Sequence, residues 1–250
     1  MRTIVSNIAD LIAFGHEVQH STGQRCWYRG HSKGSYRLSP TAHRRLTEEQ
    51  ERNVNAEFRA RAALRHASVP TSSNWAAWLA LAQHYGLPPR LLDWTFSPLI
   101  AAYFAVADRD PKDSESASIW ALLPAELNVH FAYEPYLYNV DALSIQELVN
   151  PAFANKYTSP EKVAAAMAIE ADPRMQMQQG AFTVHGLRTP LCEVVGREKW
   201  LFRADIPPED ALRLRYELRI LSIRRDSVFP DLSALASQLL NDVTGGRFLV

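Results

Sequence analysis

Reactive side chains crowd the fifteen residues from Gln83 to Ser97. This stretch reads QHYGLPPRLLDWTFS and runs into an apolar segment that continues to Ala105. Arginine can hold a phosphate by paired hydrogen bonds, and aromatic faces can stack on a flat ligand. A loop that only connects two packed elements does not need so many donors, acceptors and rings, so we predict a proline-interrupted binding loop. Its candidate site residues are Gln83, His84, Tyr85, Arg90, Asp93, Trp94, Thr95 and Ser97.

Several of these side chains also have a structural interpretation. Ser97 precedes Pro98, a pair typical of a helix N-cap followed by the first helical residue. Arg90 and Asp93 could pair with each other, and His84 could be a satisfied, partly buried histidine. The sequence leaves these alternatives open beside the functional ones.

Composition narrows the class of protein. The chain has 250 residues, of which 47% are hydrophobic, and 27 basic residues balance 27 acidic ones. A neutral chain lacks the strong field that gathers nucleic acid without a specific site. The two cysteines form no Cys-x-x-Cys pair, and His84 has no second histidine at helical or strand spacing, so we predict no metal site. We expect a cytoplasmic protein without a targeting signal or membrane span.

Periodicity predicts the elements that must position the candidate residues. The first half contains mostly helices, expected at 6–20, 47–66, 75–85 and from Ser97 onward, with one short strand at 26–30 that places Arg29 at its end. The second half contains more strands, expected at 118–124, 180–186 and 199–207, the last two as possible partners in one sheet, with helices at 160–169 and after Asp231. Residues 216–223 fit either a strand or the end of a helix that starts near Pro208. This mixture predicts a single α+β domain.

Four segments carry a family resemblance. They are WYRG at 27–30, QHYGLPPRLLDWTFSPLIAAYFA at 83–105, QQGAFTV at 178–184 and SVFPDLSALA at 227–236. In this order they resemble the FRG domain, which would cover residues 20–240, with residues 1–19 as an N-terminal helix packed on it. One departure is Pro89, where the family usually has threonine. FRG domains are distantly similar to the ADP-ribosyltransferase superfamily, which implies a split, mostly antiparallel sheet with flanking helices.

The resemblance also implies a function. It implies that NAD is bound in a cleft and used by an ADP-ribosyltransferase or NAD glycohydrolase, as in a toxin or anti-phage defence effector, with a protein or nucleic acid as acceptor. The catalytic residues would then be Arg29, Ser97 and Gln179. The residues that bind NAD or a related nucleotide would be Arg29, Gly30, His84, Tyr85, Arg90, Asp93, Trp94 and Thr95.

One part of that site is missing from the sequence. Many transferases carry a late glutamate that stabilises positive charge on the ribose, whereas this chain has Gln178 and Gln179. Losing that carboxylate would slow the chemistry by about two or three orders of magnitude unless Asp93 replaces it. The alternative is therefore a non-catalytic module that binds a nucleotide or a protein. A nuclease acting through His84 and Asp93 is less favoured, because no acidic cluster is available for a metal.

Overall fold

The computed structural model describes residues 3–20, 23–66, 69–110, 112–167 and 177–244. Its strands are β1 (Thr3–Ile4), β2 (Trp27–His31), β3 (Leu91–Thr95), β4 (Ala117–Leu122), β5 (Tyr138–Asn139), β6 (Val163–Met167), β7 (Gly180–His185) and β8 (Leu201–Ile206). They form one eight-stranded sheet in the order β1-β8-β4-β2-β3-β7-β6-β5. Neighbours are antiparallel except at the two edges, where β1–β8 and β5–β6 are parallel.

Helices cover both faces of this sheet. They are α1 (Ile8–His20), α2 (Thr41–Arg45), α3 (Glu48–Ala62), α4 (Trp75–His84), α5 (Pro98–Val106), α6 (Pro124–His130), α7 (Gln146–Val149), α8 (Ala211–Ile220), α9 (Arg225–Val228) and α10 (Leu232–Val243). One large core packs around β2, β4 and β8, and a smaller one packs around β3, β6 and β7 beneath α4. Within the described ranges, no helix is long and apolar enough to cross a membrane.

The sheet has a weak junction at its centre. Strand β2 pairs with β4 through five residues, and β3 pairs with β7 through five, but β2 and β3 pair only at Tyr28 and Thr95. Two four-stranded halves are therefore joined at one residue pair, and a space opens beside it. Gly30 brings α5 close to this junction, because a Cβ there would lie 1.8 Å from the carbonyl oxygen of Ala101.

Local signals explain the helix that follows the junction. The Ser97 hydroxyl accepts a hydrogen bond from the backbone N–H of Ile100 at 3.3 Å, and Pro98 occupies the first turn. Both features favour a helix start at this point, as the sequence predicts. Gly86 follows the C-terminal end of α4 with a φ of 88°, the left-handed conformation that glycine adopts readily.

The structure confirms the α+β class and most of the predicted elements, including α1, α3, α4, α5 and α10. It resolves residues 216–223 in favour of a helix end, since α8 runs to Ile220. Strands β7 and β8 do belong to one sheet, although they lie in different halves and do not pair. Arg29 lies in the middle of β2 rather than at its end. Helix α1 packs against α5 and α8.

Two predictions were wrong. Residues 91–95 belong to a central strand rather than a loop, because four of their five side chains are buried and the apolar residues do not alternate. Residues 163–167 form β6 rather than a helix, although alanine favours helices, because the sheet buries this run between β5 and β7. Residues 168 and 169 of the predicted helix lie outside the described part of the chain.

Candidate functional site

A cavity of about 370 Å³ opens where β2 and β3 stop pairing. We call it the Arg29 pocket, and its volume suits a small ligand. It draws together side chains from both halves of the sheet, from α2 and from α5. Its lining consists of Tyr28, Arg29, Gly30, His31, Ser32, Tyr36, Arg44, Asp93, Trp94, Thr95, Phe104 and Gln178.

Arg29 carries a positive charge that no carboxylate balances at close range. Its Nη1 donates to the backbone carbonyl of Asp93 at 2.5 Å, and its Nε donates to Nε2 of His31 at 3.1 Å. No carboxylate in the described ranges lies within ion-pair distance of the guanidinium. Burial lowers the pKa of Arg29, the Asp93 carboxylate raises it, and the charge of Arg44 lowers it again. Arginine remains protonated in such a setting, so the site favours an anion.

Arg44 supplies a second guanidinium to the same pocket. It lies in the last turn of α2, where its Nη1 donates to the carbonyl of Ser39 and its Nη2 to the Thr41 hydroxyl, both at 2.9 Å. These bonds orient an otherwise exposed side chain toward the pocket. The sequence analysis missed Arg44, because only the tertiary fold brings α2 next to β2.

His31 stands between these charges and is neutral. Burial, followed by the charges of Arg29 and Arg44, lowers the pKa of His31 to about 3. At neutral pH its Nε2 can therefore accept the hydrogen bond from Arg29. His31 was also missed, although a residue two positions after Arg29 on a strand must share its face.

Asp93 carries the one carboxylate among the described residues that line the pocket. The side chain is exposed, and its Oδ1 accepts from Nε2 of Gln83 at 2.5 Å. Gln83 lies in the last turn of α4, so that helix fixes the carboxylate. Thr95 is tied down more completely: its hydroxyl donates to the carbonyl of Gln178 at 2.7 Å and accepts from the N–H of Ser97 at 3.1 Å.

A family model matches the segment that contains most of this pocket. Residues 24–114 match the model of the FRG domain. Over this range the protein is similar to the FRG domain. The matched range holds Arg29, Arg44 and Asp93 but ends before Gln178. Neither the curated proteins nor the solved structures include a match to the chain.

The three residues predicted to be catalytic do not all meet in the Arg29 pocket. Arg29 lines it, whereas Ser97 caps α5 through its hydroxyl and is not among the lining residues. Gln179 is exposed, adopts a φ of 48° and uses its carbonyl to accept from the N–H of Phe96 at 3.0 Å. Its neighbour Gln178 lines the pocket in its place.

Gly30, Asp93, Trp94 and Thr95, four of the predicted nucleotide-binding residues, also line the pocket. Trp94 is 3% exposed, and its indole N–H donates to the hydroxyl of Thr183 at 3.0 Å. That bond anchors the ring within the sheet, which leaves Tyr36 and Phe104 as the more exposed rings, at 49% and 38%. The neighbour of Phe104, Tyr103, instead packs against the large core.

Arg90 lies outside the Arg29 pocket and is fully buried. Its Nε and Nη2 donate to the two carboxylate oxygens of Glu51 at 3.0 and 2.6 Å. Its Nη1 donates to the carbonyl of Leu148 at 3.0 Å. The alternative of an ion pair with Asp93 is therefore not realised, because Arg90, immediately before β3, forms a bidentate pair with Glu51 of α3 instead.

His84 and Tyr85 lie at the C-terminal end of α4, outside the Arg29 pocket. Both are exposed, and their rings contact each other edge to face at 4.9 Å. Tyr85 lines a different cavity between α3 and α4. Across the described residues, no group of three or more histidine, cysteine, aspartate or glutamate side chains could hold a metal ion.

Proposed function

We propose that the Arg29 pocket binds a phosphate-bearing nucleotide of the NAD type, and that the protein is an NAD-using domain related to ADP-ribosyltransferases. One observation carries the proposal: the half-buried guanidinium of Arg29 has no carboxylate within ion-pair distance among the described residues, and Arg44 adds a second positive charge to the same pocket. A partly buried charge without a counter-charge costs stability, and a bound anion would compensate for it.

The lining suggests how the ligand would lie. Arg29 and Arg44 would bind the pyrophosphate, since guanidinium groups pair with phosphate oxygens through strong, directed hydrogen bonds. The exposed rings of Tyr36 and Phe104 would pack against a base or the nicotinamide. Tyr28 would serve as a wall, because its hydroxyl already accepts a hydrogen bond from Gln19 at 2.9 Å.

Chemistry at this site would depend on Asp93. Breaking the bond between nicotinamide and ribose places positive charge on the sugar, which a nearby carboxylate stabilises. Gln178 could donate to a ribose hydroxyl but cannot supply negative charge. In the proposed reaction the bonding electrons leave with nicotinamide, and water or a macromolecular acceptor attacks the ribose carbon and loses a proton. Consumption of NAD in this way would suit a toxin or an anti-phage defence effector.

A set of matched titrations tests the binding step. We expect NAD and ADP-ribose to bind in calorimetry and adenosine, which lacks phosphate, to bind far more weakly. Arg29→Met and Arg44→Met should each weaken NAD binding about tenfold or more, whereas Arg45→Met, the neighbouring arginine on α2, should leave it unchanged. Failure of both NAD and ADP-ribose to bind would contradict the proposal.

Nicotinamide release tests the chemical step separately. The wild-type protein should release nicotinamide from NAD, alone or with protein, DNA or RNA acceptors, and Asp93→Asn should retain binding but lose release. A second candidate function is nucleotide binding without chemistry. The hydrogen bond from Gln83 to Asp93 favours it, because that carboxylate is already engaged. Binding of NAD without release under any of these conditions would select this second function.

A further inference from the structure

A second cavity, of about 590 Å³, lies between α3 and α4, and we call it the Tyr85 groove. It shares no lining residue with the Arg29 pocket. Its lining consists of Asn53, Val54, Glu57, Phe58, Arg61, Ala62, Arg65, His66, Leu81, Tyr85 and Leu87. The volume lies in the range of pockets that take small molecules, and aliphatic and aromatic side chains supply most of the wall.

The charges on the rim of the groove do not cancel. Arg61 pairs with Glu57 at 2.8 Å, one turn apart on α3, which neutralises both. Arg65 follows one turn later, and its Nη1 donates to the carbonyl of Arg61 at 3.0 Å. In the ranges that the structure describes, no acidic side chain pairs with Arg65. The exposed guanidinium of Arg65 thus has a fixed orientation at the rim of a groove that is lined mostly by apolar side chains.

Tyr85 closes the side of the groove formed by α4. It is 57% exposed, and its ring contacts His66 edge to face at 5.8 Å. The phenol is therefore positioned across the groove from α3 rather than toward Asp93 or Arg29. A large exposed ring beside Val54, Phe58, Leu81 and Leu87 leaves apolar surface that a ligand would remove from water.

We propose that the Tyr85 groove binds a small amphiphilic acid, with its aliphatic or aromatic body against these apolar side chains and its carboxylate on Arg65. A cationic amphiphile fits poorly, because the one carboxylate in the lining, Glu57, is already paired with Arg61. Burial of the ligand's apolar part provides most of the affinity, and the guanidinium selects the sign of the head group. This site is independent of any use of NAD.

Calorimetry with three ligands that share one alkyl chain tests the proposal on the full chain. Octanoate should bind with one site per protein, more tightly than octylamine and 1-octanol. Arg65→Met should weaken octanoate about fivefold and leave 1-octanol unchanged, since the substitution removes the charge at an exposed position but keeps an unbranched side chain. Val54→Trp should abolish octanoate binding by filling the groove.

Two control variants make the result specific. Arg52→Ala changes an arginine of α3 that does not line the groove, so octanoate binding should persist. Arg29→Met should also leave octanoate binding unchanged, which separates this site from the NAD proposal. The inference is overturned if octanoate does not bind, if octylamine binds as tightly, or if Arg65→Met has no effect on octanoate.

Discussion

Two arginines near the centre of the sheet, Arg29 and Arg90, have opposite electrostatic environments. Arg90 is fully buried, and both oxygens of Glu51 accept hydrogen bonds from it. Among the described residues, the acceptors of Arg29 are a backbone carbonyl and a neutral imidazole. A buried guanidinium that the fold itself neutralises cannot lose its partner without destabilising the fold, whereas one that the fold leaves unbalanced is available to an anion. The acceptor of each arginine therefore distinguishes a structural residue from a candidate binding residue.

The largest expected effect concerns the Glu51–Arg90 pair. Glu51→Gln leaves the guanidinium of Arg90 buried without its counter-charge, which should lower the free energy of unfolding by about 3–5 kcal/mol. Urea unfolding monitored by tryptophan fluorescence measures this loss. Glu51→Leu combined with Arg90→Met removes both charges and should recover much of it. If Glu51→Gln were as stable as the wild type, the pair would not stabilise the fold.

Arg29→Met tests the other side of the comparison. We expect the free energy of unfolding to change by less than about 1.5 kcal/mol, because losing an unbalanced charge offsets two lost hydrogen bonds. NAD binding should nevertheless fall by about tenfold or more. Urea unfolding and calorimetry on the same sample give both quantities. A loss of stability as large as that in Glu51→Gln would make Arg29 a structural residue too.

The sequence predicted helices better than it predicted the junction on which the site depends. Ser97-Pro98 and Asp231 identify helix starts by local hydrogen bonding, so α5 and α10 could be predicted without the rest of the chain. Strand β3 could not, because its side chains are buried on both faces and show no alternation.

The site was predicted in part for the same reason. Arg29, Asp93 and Thr95 belong to recognisable segments, but the pairing of Arg90 with Glu51 joins residues 39 positions apart. The approach of Arg44 to β2 is likewise a consequence of tertiary packing. Tertiary contacts therefore decide which arginine forms an ion pair with a carboxylate, and the local sequence does not encode those contacts.

Acid should weaken the fold through histidines near the two arginines. Burial and neighbouring arginines lower the pKa of His31 and of His43 to about 3, so both are neutral in the folded protein. An unfolded histidine gains a proton below about pH 6.5, so stability is full above that pH and declines as pH falls toward 3. The loss at pH 5 should be about 2 kcal/mol for each histidine.

The same titration separates Arg29 from an arginine outside the pocket. In Arg29→Met the pKa of His31 should rise, although burial, the larger cause, keeps it below 6.5. The loss of stability between pH 7 and pH 5 should then be smaller than in the wild type, while Arg45→Met should match the wild type. Urea unfolding at both pH values and NMR titration of His31 provide the measurements. An unchanged His31 pKa in Arg29→Met would show that this charge does not act on the imidazole.

The smallest expected effect concerns the hydroxyl of Ser97, an uncharged group whose hydrogen bond is also made within the fold. Ser97 is satisfied by the fold as the N-cap of α5, so Ser97→Ala should lower the free energy of unfolding by about 1 kcal/mol. NAD binding and nicotinamide release should not change, since the Ser97 side chain does not line the Arg29 pocket. Ser97→Asp restores a capping oxygen and should restore stability. If Ser97→Ala lost nicotinamide release while its stability and NAD binding stayed intact, the hydroxyl would take part in the chemistry. A side chain whose hydrogen bonds are all made within the fold could then also have a catalytic role.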